Sequence, residues 1–224
     1  MTAVKPLFFI MRLITRFLDF FFQYLYHGLA FTYDLVAWIV SFGQWIEWTK
    51  TVIPHLHGPR VLELGHGPGH LQRIFLDLGL AAFGLDESSQ MSHLAHRRLL
   101  QSGYAQPNLA GGLGQALPFA TESFDSIVAT FPAPYIAEAR TLSEARRVLR
   151  NGGRLIVLPA AWPKNRLLRW LYRVTGESPA EGVDILKEKV IALLSRAGFE
   201  ARVELLDLKS SELLLILAQK TAEG

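Results

Sequence analysis

The sequence predicts an α/β protein built on a doubly wound, mostly parallel sheet whose last strand runs antiparallel. Three observations carry this. Short apolar runs of β type alternate with stretches of helical spacing from residue 60 onward. The first run passes straight into three glycines, Gly65, Gly67 and Gly69, that open a helix. The last two runs are separated only by Lys209, Ser210 and Ser211, too short a link for anything but a hairpin.

The elements follow in order. Arg60 to Leu64 reads as a strand, and LQRIFLDLG after the glycines has helical spacing and a glycine stop. AAFGLD is the next strand and ends in Asp86, 17 residues beyond Gly69. Ser89 to Gln101 is helical, and a glycine-rich connection follows. Phe124 to Thr130 is a buried strand, Ile136 to Arg150 a helix ending at Asn151-Gly152-Gly153, and Arg154 to Pro159 a strand. A helix from about Val183 to Ala197 precedes the strands Ala201 to Leu208 and Glu212 to Gln219.

With 224 residues the chain has room for one α/β domain and an extension. Half the residues are apolar and 19% are charged, which excludes a disordered chain. The balance of 23 basic and 20 acidic residues, +3, does not indicate a nucleic-acid partner. There is no cysteine, so disulfides, thiolate catalysis and cysteine-based metal sites are excluded. The pairs His55/His57, His66/His70 and His93/His96 come without carboxylates at a ligand spacing, and no metal site is expected.

Aromatic residues crowd the first 50 positions, among them Phe20, Phe21, Phe22, Trp38, Trp45 and Trp48. Residues 1–52 are read as a helical extension and 53–224 as the main domain. The longest uncharged stretch, Phe20 to Tyr33, is 14 residues, short of the roughly 20 that span a bilayer. No cleavage site follows it, so the chain is expected to be unprocessed and cytoplasmic. The amphipathic face of residues 1–30 has two open fates: packing against protein, including a second subunit, or lying on a membrane surface. WPKNRLLRWLYRV, residues 162–174, opens a cap insertion spanning 162–182. If helical, it sets Arg166, Arg169 and Arg173 opposite Leu167, Leu168 and Leu171, so it either caps the pocket or touches anionic lipid. The oligomeric state is not legible.

The glycine loop discriminates between cofactors. A dinucleotide fingerprint is GxGxxG, whereas Glu63 to Gly69 reads ExGxGxG. A carboxylate two residues before the first glycine would repel a pyrophosphate and suits a ligand carrying an amine and a sulfonium. Asp86 at the second strand's tip is placed to accept hydrogen bonds from a ribose diol. A nicotinamide-dependent oxidoreductase is therefore disfavoured by spacing. A non-catalytic binding or scaffold domain stays open.

At these residues the chain resembles the class I S-adenosylmethionine-dependent methyltransferases, and within them the methyltransferase type 11 and ubiquinone/menaquinone C-methyltransferase group. VLELGHGPG, GLDESSQM, LPFATESFDSIVAT and EARRVLRNGGRLIVL are similar to the group's motifs in order and spacing. The resemblance implies a Rossmann-like, seven-stranded mixed sheet with an antiparallel last strand, and S-adenosylmethionine as cofactor. It implies that Glu63, Gly65 and Gly67 lie beside the methionine part of the cofactor, with His66 and Gly69 of the same loop also counted as cofactor-binding, that Asp86 binds the ribose hydroxyls with Glu87 and Met91 near ribose and adenine, and that Thr130 borders the methionine carboxylate and substrate pocket. Leu113, Gly114 and Gln115 stand where an acidic residue followed by alanine is usual, so adenine contact falls to backbone groups and to Gln115. The segment from Thr32 to Trp45 is similar to the first helix of the quinone enzymes, which makes Tyr33 a lid residue. Methyl transfer is implied, and the aromatic N-terminus together with residues 162–174 points to a small, lipophilic acceptor or a membrane-surface location. No catalytic residue is assigned; His66, His70 and Tyr33 are the nearest candidates for a base.

Overall fold

The computed structural model describes residues 41–164 and 183–221. Tyr33, residues 1–30 and all of the cap insertion beyond Lys164 lie outside them.

The described chain begins with α1 (Trp45–Lys50) and a 3-10 turn at Ile53–His55. There follow β1 (Arg60–Leu64), α2 (His70–Asp77), β2 (Ala81–Asp86), α3 (Ser89–Gln101) and β3 (Asn108–Gly111). Next come β4 (Phe124–Thr130), a 3-10 turn at Pro134–Ala137, α4 (Ala139–Val148) and β5 (Leu149–Pro163). The chain closes with α5 (Val183–Arg196), β6 (Phe199–Asp207) and β7 (Ser211–Lys220).

The seven strands form one sheet in the order β3-β2-β1-β4-β5-β7-β6. The first five are parallel neighbours, and β7 runs antiparallel to both β5 and β6. The expected mixed sheet and terminal hairpin are therefore present. Strands β1 and β4 are buried on both faces, as parallel strands between helices must be. One face packs Leu62, Leu64, Ile127 and Leu155 beneath α4 and α5. The other packs Val61, Val128 and Ile156 against Leu71 and Phe75 of α2 and Trp48 beside them.

Several boundaries differ from the sequence reading. The strand expected to end at Pro159 runs on to Pro163, so Trp162 and Pro163, read as the opening of the cap insertion, pair with β7 instead. The glycine-rich connection contains the seventh strand, β3. The helix expected from Ile136 to Arg150 is a 3-10 turn followed by α4, and Glu138 at its N-cap is extended. Asn151-Gly152-Gly153 is not a stop between helix and strand but lies inside β5, where Gly152 takes φ +73°.

Trp48 and Val52, within the stretch read as an extension, are buried in the same core as β1. The Trp48 indole N–H donates to Ser211 Oγ at 2.9 Å, and that hydroxyl donates to Gln44 Oε1 at 2.8 Å. These bonds fasten α1 to the start of β7. Among the described residues no helix is long and apolar enough to cross a membrane.

Candidate active site

A cleft opens at the C-terminal ends of β1, β2, β3 and β4, where parallel α/β sheets bind ligands. One side of it is built by β1 and β2, paired in register with Glu63 opposite Gly84 and Leu64 opposite Leu85. Glu63 is 2% exposed and accepts from Gln72 Nε2 at 2.8 Å. Burial pushes its pKa up to about 8; the Gln72 bond opposes that, and the charge of Asp86 adds to it.

Asp86, 6% exposed, closes the end of β2. Its Oδ2 accepts from the Gly67 N–H at 2.9 Å and its Oδ1 from the Ser88 N–H at 2.8 Å. Each oxygen keeps a second lone pair, so the carboxylate is oriented by the protein and still able to receive a diol.

The loop between them is drawn over the strand ends. The Gly65 N–H donates to Leu85 O at 2.7 Å, and Gly67 adopts φ +51° with open space where a Cβ would stand. His66 is 3% exposed, and its Nδ1–H donates to the Gly67 carbonyl at 2.7 Å. A carbonyl only accepts, so this bond fixes the tautomer of the neutral ring. Burial holds the imidazole below its usual range, against the opposing pull of Asp86 and of the Gly67 carbonyl. The ring fits because β2 carries glycine at 84, whose absent Cβ would lie 2.8 Å from His66 Cδ2.

Of the sequence-predicted site residues, Glu63, Gly65, His66, Gly67, Asp86, Glu87, Gly114, Gln115 and Thr130 line this one cleft. Gly69 and Met91 do not. A Cβ at Gly69 would lie 2.8 Å from Ala95 Cβ, so that glycine permits the close approach of α2 to α3. Met91 is fully buried in the first turn of α3, where its N–H bonds the capping hydroxyl of Ser88. Gln115 turns its amide away to Glu138 Oε2, at 2.9 Å. Tyr33 lies outside the described residues.

The opposite wall was not legible beforehand. Trp45 and Thr49 reach it from α1, and Phe131, Pro132, Ala133 and Tyr135 from the segment after β4. Phe131 adopts φ +49°, unusual for a side chain of its size, and its N–H is held by Leu158 O at 2.7 Å. Its ring packs on Trp45 with centroids 4.2 Å apart. Among the described residues no group of three or more acidic or histidine side chains could hold a metal.

The sheet order with its reversed last strand is that of the class I S-adenosylmethionine-dependent methyltransferases, and the chain is similar in sequence to members of that class. Residues 62–157 match the family described as a methyltransferase domain. The chain is 33% identical over 156 residues to a demethylmenaquinone methyltransferase of Symbiobacterium thermophilum, covering 65% of this chain and 61% of that protein. It is 28% identical over 161 residues to a ubiquinone/menaquinone biosynthesis C-methyltransferase of Geotalea daltonii, covering 67% of each. The chain thus spans about three-fifths to two-thirds of the curated relatives it matches. In fold it is similar to a crystal structure of a S-adenosylmethionine-dependent methyltransferase from Aquifex aeolicus, with a TM-score of 0.54, 19% identity and coverage of 76% of this chain and 88% of that one.

The residues present fit the cofactor of the class, S-adenosylmethionine. An acid for an amine stands at β1, an acid with free lone pairs for a diol stands at β2, and a glycine between them leaves room for a ligand.

Proposed function

We propose that this protein transfers a methyl group from S-adenosylmethionine to a small, lipophilic acceptor of the quinol type. The supporting observation is the cleft's division: two buried acids on β1 and β2 along one side, and an aromatic wall of Trp45 and Phe131 along the other. The relatives named for quinone methylation favour the same substrate class. Fold alone would not select it.

In this reading Asp86 holds the ribose hydroxyls, and Glu63 holds the amino group of the methionine end. Glu87 and the loop from Gly112 to Gln115 border the base. Thr130 stands where the two halves meet. The cofactor supplies a methyl group on a positively charged sulfur, so the carbon is already activated. What remains for the chain is to align the acceptor and keep water out, which the apolar side chains of Trp45, Phe131 and Pro132 do. When the acceptor atom is an electron-rich ring carbon, the proton that the methyl group displaces leaves that carbon after transfer and passes to solvent, so no side chain need take a proton before the methyl moves. His70, at the start of α2 and on the cleft wall, is the group placed to do so for a hydroxyl.

Residues 1–30 of the aromatic extension, and the part of the cap insertion that follows β5, are assigned to a lipid surface from which such an acceptor is drawn. Their aromatic and arginine-rich stretches supply the amphipathic chemistry for it. The protein is then cytoplasmic and membrane-peripheral. Sedimentation with anionic vesicles tests this: full-length chain should pellet, and deletion of residues 1–30 should release it.

Calorimetric titration of S-adenosylmethionine and S-adenosylhomocysteine into the wild type and Asp86→Ala tests the core of the proposal. Micromolar binding lost on substitution supports it. A folded wild type that binds neither would make the chain a non-catalytic domain on a methyltransferase scaffold.

A further inference from the structure

Gln72 is a buried polar residue, 1% exposed, on the face of α2 that also carries Leu71 and Phe75. Its side-chain amide has two N–H groups, and both are used. Nε2 donates to Glu63 Oε2 at 2.8 Å and to the Phe83 carbonyl at 3.1 Å. The amide nitrogen only donates, so Oε2 of Glu63 is committed as an acceptor. Because the carbonyl oxygen of a carboxylic acid is the better acceptor, this bond favours Oε1 as the seat of a proton on Glu63.

We propose that Gln72 is a positioning residue which orients Glu63 toward the cleft, that the buried Glu63 carboxyl is protonated in the free protein, and that binding the cationic amino end of an S-adenosyl ligand expels that proton to solvent. The inference rests on the assignment of Glu63 to the methionine end given above. The balance is simple. The ligand's ammonium keeps its three hydrogens, the Oε1–H bond breaks, the pair stays on Glu63 as carboxylate, and the proton passes to buffer. A buried carboxyl of raised pKa is stable in the free protein as the neutral acid, and a cation beside it reverses that preference.

The titratable groups sharing the cleft wall are His66 in the glycine loop, His70 on α2, Asp86 and Glu87 at the end of β2, and Tyr135 after β4. Asp86 opposes ionisation of Glu63. His66 is held neutral by burial and titrates on the acid side of its ordinary range, away from the Glu63 transition.

The test is a proton inventory on the full-length chain: calorimetry at pH 7 in buffers of different ionisation enthalpy, with two probes. S-adenosylhomocysteine carries the amino group; 5′-methylthioadenosine shares the nucleoside and lacks it. S-adenosylhomocysteine should release roughly one proton and methylthioadenosine none, since a group with pKa near 8 is about nine-tenths protonated at pH 7. Equal proton counts for the two probes would overturn the proposal. If neither probe binds, the cofactor assignment fails instead, and the two failures are distinguishable.

Gln72→Met keeps the volume and removes the donor. It should move the rise of S-adenosylhomocysteine affinity with pH toward more alkaline values, because the lost bond favoured the carboxylate. An unmoved profile would reduce Gln72 to packing. Glu63→Gln, which keeps the shape, should abolish the ligand-linked proton release, and its persistence would place the proton elsewhere.

Discussion

Tyr135 lies with its ring edge against the α-carbon of Gly114: a Cβ there would stand 2.9 Å from Cε2 and 3.0 Å from Cδ2. Its hydroxyl reaches the glycine loop as well, 3.2 Å from the place of a Gly65 Cβ. One side chain thus joins the loop after β3 to the loop after β1 across the cleft.

Gly114→Ala should therefore act through Tyr135. The added methyl overpacks a close contact, a cost of about 1–3 kcal/mol, and at about 1.4 kcal/mol per decade S-adenosylhomocysteine affinity should fall roughly tenfold. Adding Tyr135→Ala should relieve part of the loss. Calorimetry on the two single variants and the double variant reads the coupling, and strict additivity would show that the ring and residue 114 act separately.

Glu63 sets a pH dependence of stability. Its folded pKa of about 8 lies above its ordinary value of 4.5. The fold therefore favours the protonated form, and that contribution is complete below the ordinary value and lost as pH rises through about 8. Ligand-free wild type should melt at progressively lower temperature from pH 5 to pH 9. Glu63→Gln should lose less over the same range, and parallel melting profiles would remove Glu63 as the cause.

Arg147 on α4 is a latch for the LPF segment. It donates to the carbonyls of Phe119 at 2.8 Å and Leu117 at 3.0 Å, and to both oxygens of Glu144. Glu144 in turn accepts from the Leu117 N–H at 2.8 Å. Arg147→Met should cost about 1–2 kcal/mol by urea unfolding, given partial solvent access. Bonding to Arg147 holds the Glu144 carboxyl below its ordinary range, so the stability it brings is present above that range and lost as pH falls. Acid unfolding of the variant should accordingly be less steep than that of the wild type.

Ser211→Ala should strand the Trp48 indole N–H in the core, costing about 1–3 kcal/mol. It should leave S-adenosylhomocysteine affinity near the wild-type value, because Trp48 braces the wall opposite the two acids. A matching loss of cofactor affinity would show that the two halves of the cleft are not separable.

That the residues at the ends of β1 and β2 share one cleft was legible because its determinants are local. Glu63, Gly65, Gly67 and Asp86 sit at consecutive strand ends, and the glycine spacing marks the loop. Strand β3 was not legible: NLAG is four residues long, followed by another glycine, and lacks an apolar alternation. The start of β5 was hidden by Gly152 and Gly153, which read as a helix stop and instead carry a strand directly out of α4. Trp45, Thr49 and Tyr135 escaped for another reason. Their places in the cleft are set by where α1 and the turn after β4 dock, which no local pattern records. Met91 fitted a motif, yet its side chain serves the core, because the capping bond of Ser88 closes the first turn of α3 over it.

The bond from Trp48 to Ser211 joins residues 163 positions apart. On a ribosome, the strand ends that carry the two cleft acids emerge long before β7 does. Glu63, Gly67 and Asp86 come from the first half, whereas the brace behind Trp45 and Phe131 waits for the last strand to be made. A nascent or truncated chain ending before residue 211 would hold both acids without the hydroxyl that steadies the aromatic wall. The order of synthesis thus supplies the acidic side of the cleft first and the support of its aromatic side last.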